Sequence, residues 1–435
     1  EIIIDLIKNK TPIVPKELIV PFILVTSLFA LWGFANAITD PMVQAFKKVL
    51  ELSNSEAAWI QMAFYGGYFC MALPAALFIK KYSYKKGILV GLLLYSIGAL
   101  LFYPAAITEQ FWFFCLGLYI LTFGLAFLET TASPYILSMG NSKTAIQRLN
   151  LAQFFNPLGL IGGLIIAQQF ILKNLKSDDI YDFSTLEETS KMVIRSSDLI
   201  VIRDPYVVLG LFVIGMFFLI LFYKMPENKN NDKVNGLNKT LLNLTKNHIY
   251  IGGVIAQTLY VGAQIMCWTY IYQYAEGIGI NSEKAADYQF IAFILFFIGR
   301  GTGTFLLKYI ISKKLMLIFA TMASLFSFGT ILNDGYFGLY CLVSISFFMS
   351  IMFPTIYGLS LKGLNEVECK IGAAGLVMAI VGGALMPTLQ GMIIDIGGVN
   401  VNDIQIFGVS EVNFSFILPL LCFIYIMFYS KTVVK

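Results

Sequence analysis

Three ionisable residues of this chain stand inside long apolar runs. Glu129 lies in WFFCLGLYILTFGLAFLETTASPYI, Asp40 closes LFALWGFANAITD, and Arg300 sits in FILFFIGRGTGTF. A charge at mid-membrane costs about 2.5–3.5 kcal/mol on insertion scales, so such residues face a cavity or a partner. Carboxyl groups withdrawn from water exchange protons near neutral pH, which is the chemistry of proton coupling. Glu129 has no water within reach at either end of its run; the alternative is a structural carboxylate bonded to a neighbouring helix. Asp40 reads two ways. Pro41 fits a helix end and a water-facing cap, whereas the continuing MVQAF and the later Lys47 and Lys48 place it deeper. Arg300 either pairs with an acid or lines a cavity.

A second set of groups suits hydroxyl-rich ligands. Gln153 and Asn156, in RLNLAQFFNPLGLIGG, share one helix face at i and i+3. Each amide offers two donors and an acceptor, the equipment for binding sugar hydroxyls; tying helices together is the alternative use. Pro157 and the glycines after it imply a bent, closely packed helix. AQTLYVGAQIMCWTYIYQY carries Gln257, Tyr260, Gln264 and Trp268 on a polar–aromatic face. Interface anchoring explains Tyr and Trp near helix ends, but Gln264 is too deep for it.

Only long apolar helices can hold these residues. The chain has 435 residues, 58% apolar and 13% charged, about half the charge of a soluble protein. That is too little to cover a water-facing surface, and an integral membrane protein follows. A net charge of +4 lacks the basic stripe that nucleic acid requires. Six dispersed cysteines without a Cys-x-x-Cys pair form neither a disulfide framework nor a zinc site, and the single histidine, His248, excludes most metal and nucleophile–His chemistry. Residues 1–18 lack a secretory n-region and cleavage pattern, so the first apolar run is expected to be a retained span.

Runs of about 20 apolar residues occur near 19–42, 57–79, 87–106, 111–138, 147–172 and 205–223. Six more follow near 249–275, 287–308, 315–332, 336–361, 371–394 and 412–430. The sequence thus predicts an N-terminal segment 1–18, a six-helix bundle 19–223, a polar linker 224–247, a second six-helix bundle 248–430 and a tail 431–435. A polar insertion, 173–204, separates spans five and six. With the N-terminus inside, inner segments carry 21 Lys/Arg and outer ones 8, a bias that puts both termini in the cytoplasm. FIKKYSYKKGILVG and FLLKYIISKKLMLIF repeat a Lys-rich turn after spans two and eight, as expected for related bundles with a site between them. An ion channel would repeat a polar ring along several spans, and an enzyme would cluster His, Ser or metal ligands; the sequence shows neither.

Several long strings carry a resemblance over roughly 20–430. They are LFALWGFANAITD, AFYGGYFCMALPAALFIKKYSYKKG, LETTASPYI, RLNLAQFFNPLG, YVGAQIMCWTYIYQYA, FFIGRGTGTFL, FMSIMFPTIYGLSLKGL and GLVMAIVGGALMPTLQGMIID. They are similar to segments of the fucose–galactose–glucose:H⁺ symporter group of the major facilitator superfamily. The resemblance implies an all-α membrane protein with twelve transmembrane helices in two six-helix bundles. It implies no enzyme but a proton-coupled sugar importer of the bacterial inner membrane, working by alternating access. L-Fucose is the expected substrate; a Na⁺- or H⁺-coupled glucose, galactose or mannose carrier is the alternative. The expected partners are a small sugar and the lipid bilayer, with no nucleic acid, and the chain is expected to act as a monomer. No cofactor is implied beyond the coupling ion, H⁺ or Na⁺. Asp40 is implied to couple the proton, and Glu129 to join proton exchange to sugar binding. Gln153, Asn156, Asn36 and the upstream Trp32 are implied to contact sugar, and Tyr260, Gln264 and Arg300 complete the expected site. Asn36-Ala37 replaces paired asparagines, Phe154 and Pro157 replace small polar residues, and Phe353 replaces a tyrosine, all of which alters the hydroxyl pattern.

Overall fold

The structure, a computed structural model, describes residues 12–50, 54–179, 187–226, 237–396 and 404–433. Among them, twelve helical spans are long and apolar enough to cross a membrane. They are α1 (Ile19–Val49), α2 (Asn54–Lys81), α3 (Tyr84–Thr108), α4 (Phe111–Ser138), α5 (Ser142–Ile171) and α6 (Glu188–Phe222). The second six are α7 (His248–Gly277), α8 (Ser282–Leu306), α9 (Ser312–Leu332), α10 (Tyr336–Leu361), α11 (Glu366–Ile394) and α12 (Glu411–Thr432). A short hairpin, β1 (Gln405–Ile406) with β2 (Val409–Ser410), precedes α12.

The packing repeats on adding six. The pairs α1·α5, α2·α4, α3·α4 and α3·α6 recur as α7·α11, α8·α10, α9·α10 and α9·α12. The bundles meet through α2 and α4 against the first half of α11, and through α8 and the second half of α10 against α5. Those two sets exchange under the same relation, so an approximate two-fold relates the halves. We call the face bearing the 224–247 connection the linker face. The inter-bundle contacts gather towards it, because Glu366–Met378, Met352–Leu361 and Ala145–Gln153 are the linker-face halves of their spans.

Lipid gives no hydrophobic drive for helices to associate, so close packing must supply it. Helices α1 and α5 approach until their backbones touch. A Cβ on Gly33 would collide with the Asn156 carbonyl, and one on Gly159 with the Ala30 carbonyl. Two of the interrupted spans bear on the site, α5 at Phe154–Phe155 and α10 at Ser350–Ile351. In each case a proline, Pro157 or Pro354, stands just beyond the break, where its missing N–H ends the ladder.

One expectation changes. Span six begins at Glu188, not near 205. Residues 188–204 are an amphipathic continuation of the helix beyond the apolar run, which a hydropathy count passes over. It is docked by Asp198, whose carboxylate accepts the Lys176 and Ser177 backbone N–H groups at 2.9 and 3.0 Å. The polar linker contains a helix, Leu237–Lys246, exposed along most of its length. That helix buries Thr240 and Leu244 and ties to α11, where Asn243 donates to the Glu368 carboxylate at 3.1 Å.

Arg148 organises the α4–α5 corner. Fully buried, its guanidinium donates to the carbonyls of Ile136, Leu137, Asn141 and Ile13 and to the Thr144 hydroxyl, at 2.7–3.4 Å. It thereby satisfies the end of α4, whose last carbonyls have no partner within the helix, and pins the segment before α1. Arg148→Ala should cost about 2–4 kcal/mol, since buried acceptors lose their donor at about 1–3 kcal/mol each. Thermal unfolding in detergent checks this, and an unshifted midpoint would contradict it.

Candidate functional site

The site lies where the two bundles face each other at mid-span. From α4 comes Glu129, 1% exposed. Its Oε1 accepts the Ser133 hydroxyl at 2.9 Å, while Oε2 has no protein partner. From α1 comes Trp32, whose indole N–H donates to the Tyr68 hydroxyl. Its ring stands edge-on to Phe353 of α10 at 6.2 Å, and Phe353 in turn meets Tyr260 of α7 at 6.1 Å. An aromatic row, Tyr68–Trp32–Phe353–Tyr260, therefore crosses from one bundle to the other.

Arg300 of α8 is 2% exposed. It donates to the Ser350 carbonyl at 2.7 Å and the Gln153 carbonyl at 3.0 Å, and lies over the Phe296 ring at 4.5 Å. It also interacts electrostatically with Glu129 and Tyr260. The Gln153 side chain is 3% exposed, and its Nε2 is unpartnered. The hydroxyls of Tyr260 and Tyr357 and both polar atoms of Gln257 are likewise buried without an aligned protein partner. Buried polar atoms are nearly always bonded, so several orphans in one region mark groups held ready for a ligand or for a change of packing.

The structure brings Trp32, Glu129, Gln153, Tyr260 and Arg300 together and leaves others at the margin. Asn156 is half-buried and spends its amide N–H on the Phe29 carbonyl at 3.3 Å, linking α5 to α1. Asn36 and Gln264 are half-buried, each one turn from Trp32 and Tyr260 towards the far face. Trp268 donates to Ser346 and packs on Phe293 and Phe296 inside its own bundle. Asp40 falls within α1, nine residues before the helix ends, and its side chain lies outside the described residues. Two residues at the site escaped the sequence reading, Tyr68 and Tyr357, both fully buried and within electrostatic reach of Glu129. Their signal was slight among 23 tyrosines. Among the described residues no group of three or more His, Cys, Asp or Glu could hold a metal ion.

The linker face is closed by contacts between the bundles. Gln147 donates to the Thr304 carbonyl at 3.2 Å, Asn150 to the Thr355 hydroxyl at 3.3 Å, and Phe154 stacks on Phe297 at 4.6 Å. A cavity of about 920 Å³ opens below this closure, lined by loops of both bundles, including Lys143, Lys308 and Lys362. It touches none of the candidate residues, so its size does not make it the binding site.

Two six-helix bundles related by a two-fold, with buried polar groups at their interface, define a secondary transporter of the alternating-access kind. The Major Facilitator Superfamily model matches residues 22–387, and the chain belongs to that superfamily. It is 54% identical over 423 residues to an L-fucose-proton symporter of Haemophilus influenzae, covering 96% of this chain and 97% of the relative. It is 30% identical to a glucose/galactose transporter of Brucella abortus, covering 93% and 92%. Among solved structures it is similar to FucP, a superfamily transporter in the outward conformation, with TM-score 0.86, 34% identity and coverage of 97% and 100%.

Proposed function

We propose that this protein is an L-fucose:proton symporter of the bacterial inner membrane that imports sugar by alternating access. The observation that carries the reading is the 54% identity, along nearly the whole of both chains, to a protein of that activity. The 30% identity to a glucose/galactose transporter is weaker support for the alternative substrates. The division into bundles 19–223 and 248–430, joined by the 224–247 linker, follows from the span count. The linker face is cytoplasmic on this reading, since it carries the Lys-rich turns, and the conformation is then outward-facing. The protein works as a monomer, each chain holding its own site between its bundles.

Asp40 takes a proton from outside, which neutralises it and favours sugar binding. Glu129, Gln153, Asn156 and Asn36 supply hydrogen bonds to sugar hydroxyls, joined by Tyr260 and Gln264. Trp32 covers an apolar sugar face. Sugar and proton leave together once the linker face opens. No cofactor enters, because the proton gradient supplies about 2.3 kcal/mol per charge per 100 mV.

The test is to add L-fucose to de-energised cells making the protein and follow external pH. The medium should turn alkaline, equally with Na⁺ or choline as the bulk cation. Galactose, glucose and mannose should give less than a tenth of that response. Uptake without alkalinisation removes proton coupling, and a requirement for Na⁺ selects the alternative carrier.

A further inference from the structure

A proline removes the N–H that would bond the carbonyl four residues earlier. Pro157 thus deprives the Gln153 carbonyl in α5, and Pro354 the Ser350 carbonyl in α10. These helices belong to different bundles. Both freed carbonyls are taken by one side chain, since Arg300 Nε donates to Ser350 at 2.7 Å and NH1 to Gln153 at 3.0 Å. The bond to Ser350 lies within the second bundle and aims the guanidinium, whose face rests on Phe296. The bond to Gln153 crosses between bundles.

A buried cation is costly unless its donors are used, and here a large share of that satisfaction comes from across the interface. We propose that Arg300 is the latch of the closed linker face, built from two proline breaks, and a positioning residue rather than a sugar ligand. Of the two Arg300 bonds, separating α5 from α8 breaks the one to Gln153, along with the Gln147–Thr304 bond and the Phe154–Phe297 stack; the Ser350 bond keeps the guanidinium aimed for relatching. The planar guanidinium reaches both carbonyls from two nitrogens, which a lysine point charge cannot do equally well. Glu129, Tyr260 and the two carbonyls surround the same group, so the latch stands next to the carboxylate proposed to exchange protons.

The inference rests on alternating access in the function proposed above, but its test needs no sugar and no proton gradient. Spin labels at positions 143 and 362, exposed on opposite bundles at the linker face, report its opening as a distance distribution. The short distance should dominate without substitution. Arg300→Met should raise the open-to-closed ratio tenfold to a hundredfold, the range of one charge-assisted hydrogen bond. Arg300→Lys should fall between the two. Pro157→Ala restores a local donor to Gln153 and should shift the ratio by itself a few-fold. In that background Arg300→Met should add less than threefold, because the two changes act on one bond.

Equal effects of Arg300→Met in both backgrounds would overturn the latch. So would a distribution left unchanged by Arg300→Met. Should Arg300→Met fail to fold, Arg300→Lys and Pro157→Ala still decide, since no shift in either refutes the proposal. Failure of L-fucose to drive proton uptake, by contrast, would refute the function and leave these distances unaltered.

Discussion

Glu129→Gln should bring steady-state sugar accumulation down about fifty-fold at 100 mV, to the external concentration, while exchange of labelled sugar across the membrane continues. One proton crossing 100 mV contributes about 2.3 kcal/mol. At 1.4 kcal/mol per tenfold, that is about fifty-fold of gradient, all of it lost if the carrier no longer moves the proton. Glutamine suits the test because it is nearly isosteric. Its amide oxygen can still accept from the Ser133 hydroxyl, now 2.9 Å from Oε1, so the local packing of α4 survives. What disappears is the ability to bind and release a proton beside Arg300. Accumulation of sugar by this variant to the level of the unsubstituted protein would remove Glu129 from coupling and leave Asp40 alone with that role. Loss of exchange along with accumulation would instead make Glu129 a sugar ligand first.

The number and order of spans were legible because membrane crossing is a one-dimensional property of hydropathy and length. The ends of α4 and α10 were legible too, at 111–138 and 336–361, but the start of span six was not. Helix α6 runs on from Phe222 back to Glu188, and the linker folds a helix at Leu237–Lys246, since an amphipathic surface stabilises helix without leaving an apolar run. Within the site, Glu129 stood out because no shift of its span could bring it to water. Arg300 stood out for the same reason, but its partners did not. They are backbone carbonyls, and a search for acids or ligand-facing side chains passes over acceptors that every residue possesses. The signal was nonetheless present, in Pro157 and Pro354 at mid-span, each of which frees a carbonyl at a known offset. Tyr357 was hidden for another reason. Aromatic residues fill the chain, and only burial with an unpartnered hydroxyl separates it from the tyrosines that merely pack.

The closest backbone approach in the first bundle predicts the largest loss of structure from the smallest substitution. Gly159→Ala should lower stability by about 1–3 kcal/mol and reduce transport severely, whereas Gly162→Ala, three residues away on the same helix, should do neither. A methyl on Gly159 meets the Ala30 carbonyl and the Phe34 amide nitrogen of α1, both backbone atoms that cannot rotate aside. A methyl on Gly162 meets nothing within 4 Å, and there alanine's greater helix propensity, up to about 1 kcal/mol, acts without opposition. The consequence for transport follows from what the approach holds in register. Asn156 bonds Phe29 across it, Gln153 lies just before the break, and its carbonyl reaches Arg300 in the other bundle. Displacing α5 by a methyl's width therefore disturbs the inter-bundle bond that Arg300 donates to the Gln153 carbonyl, now 3.0 Å long. Melting temperatures in detergent, with labelled-sugar uptake at matched expression, decide the matter. If both alanine variants melt and transport alike, the α1–α5 contact does not govern either property, and the site must be held in place by the α2–α11 interface instead.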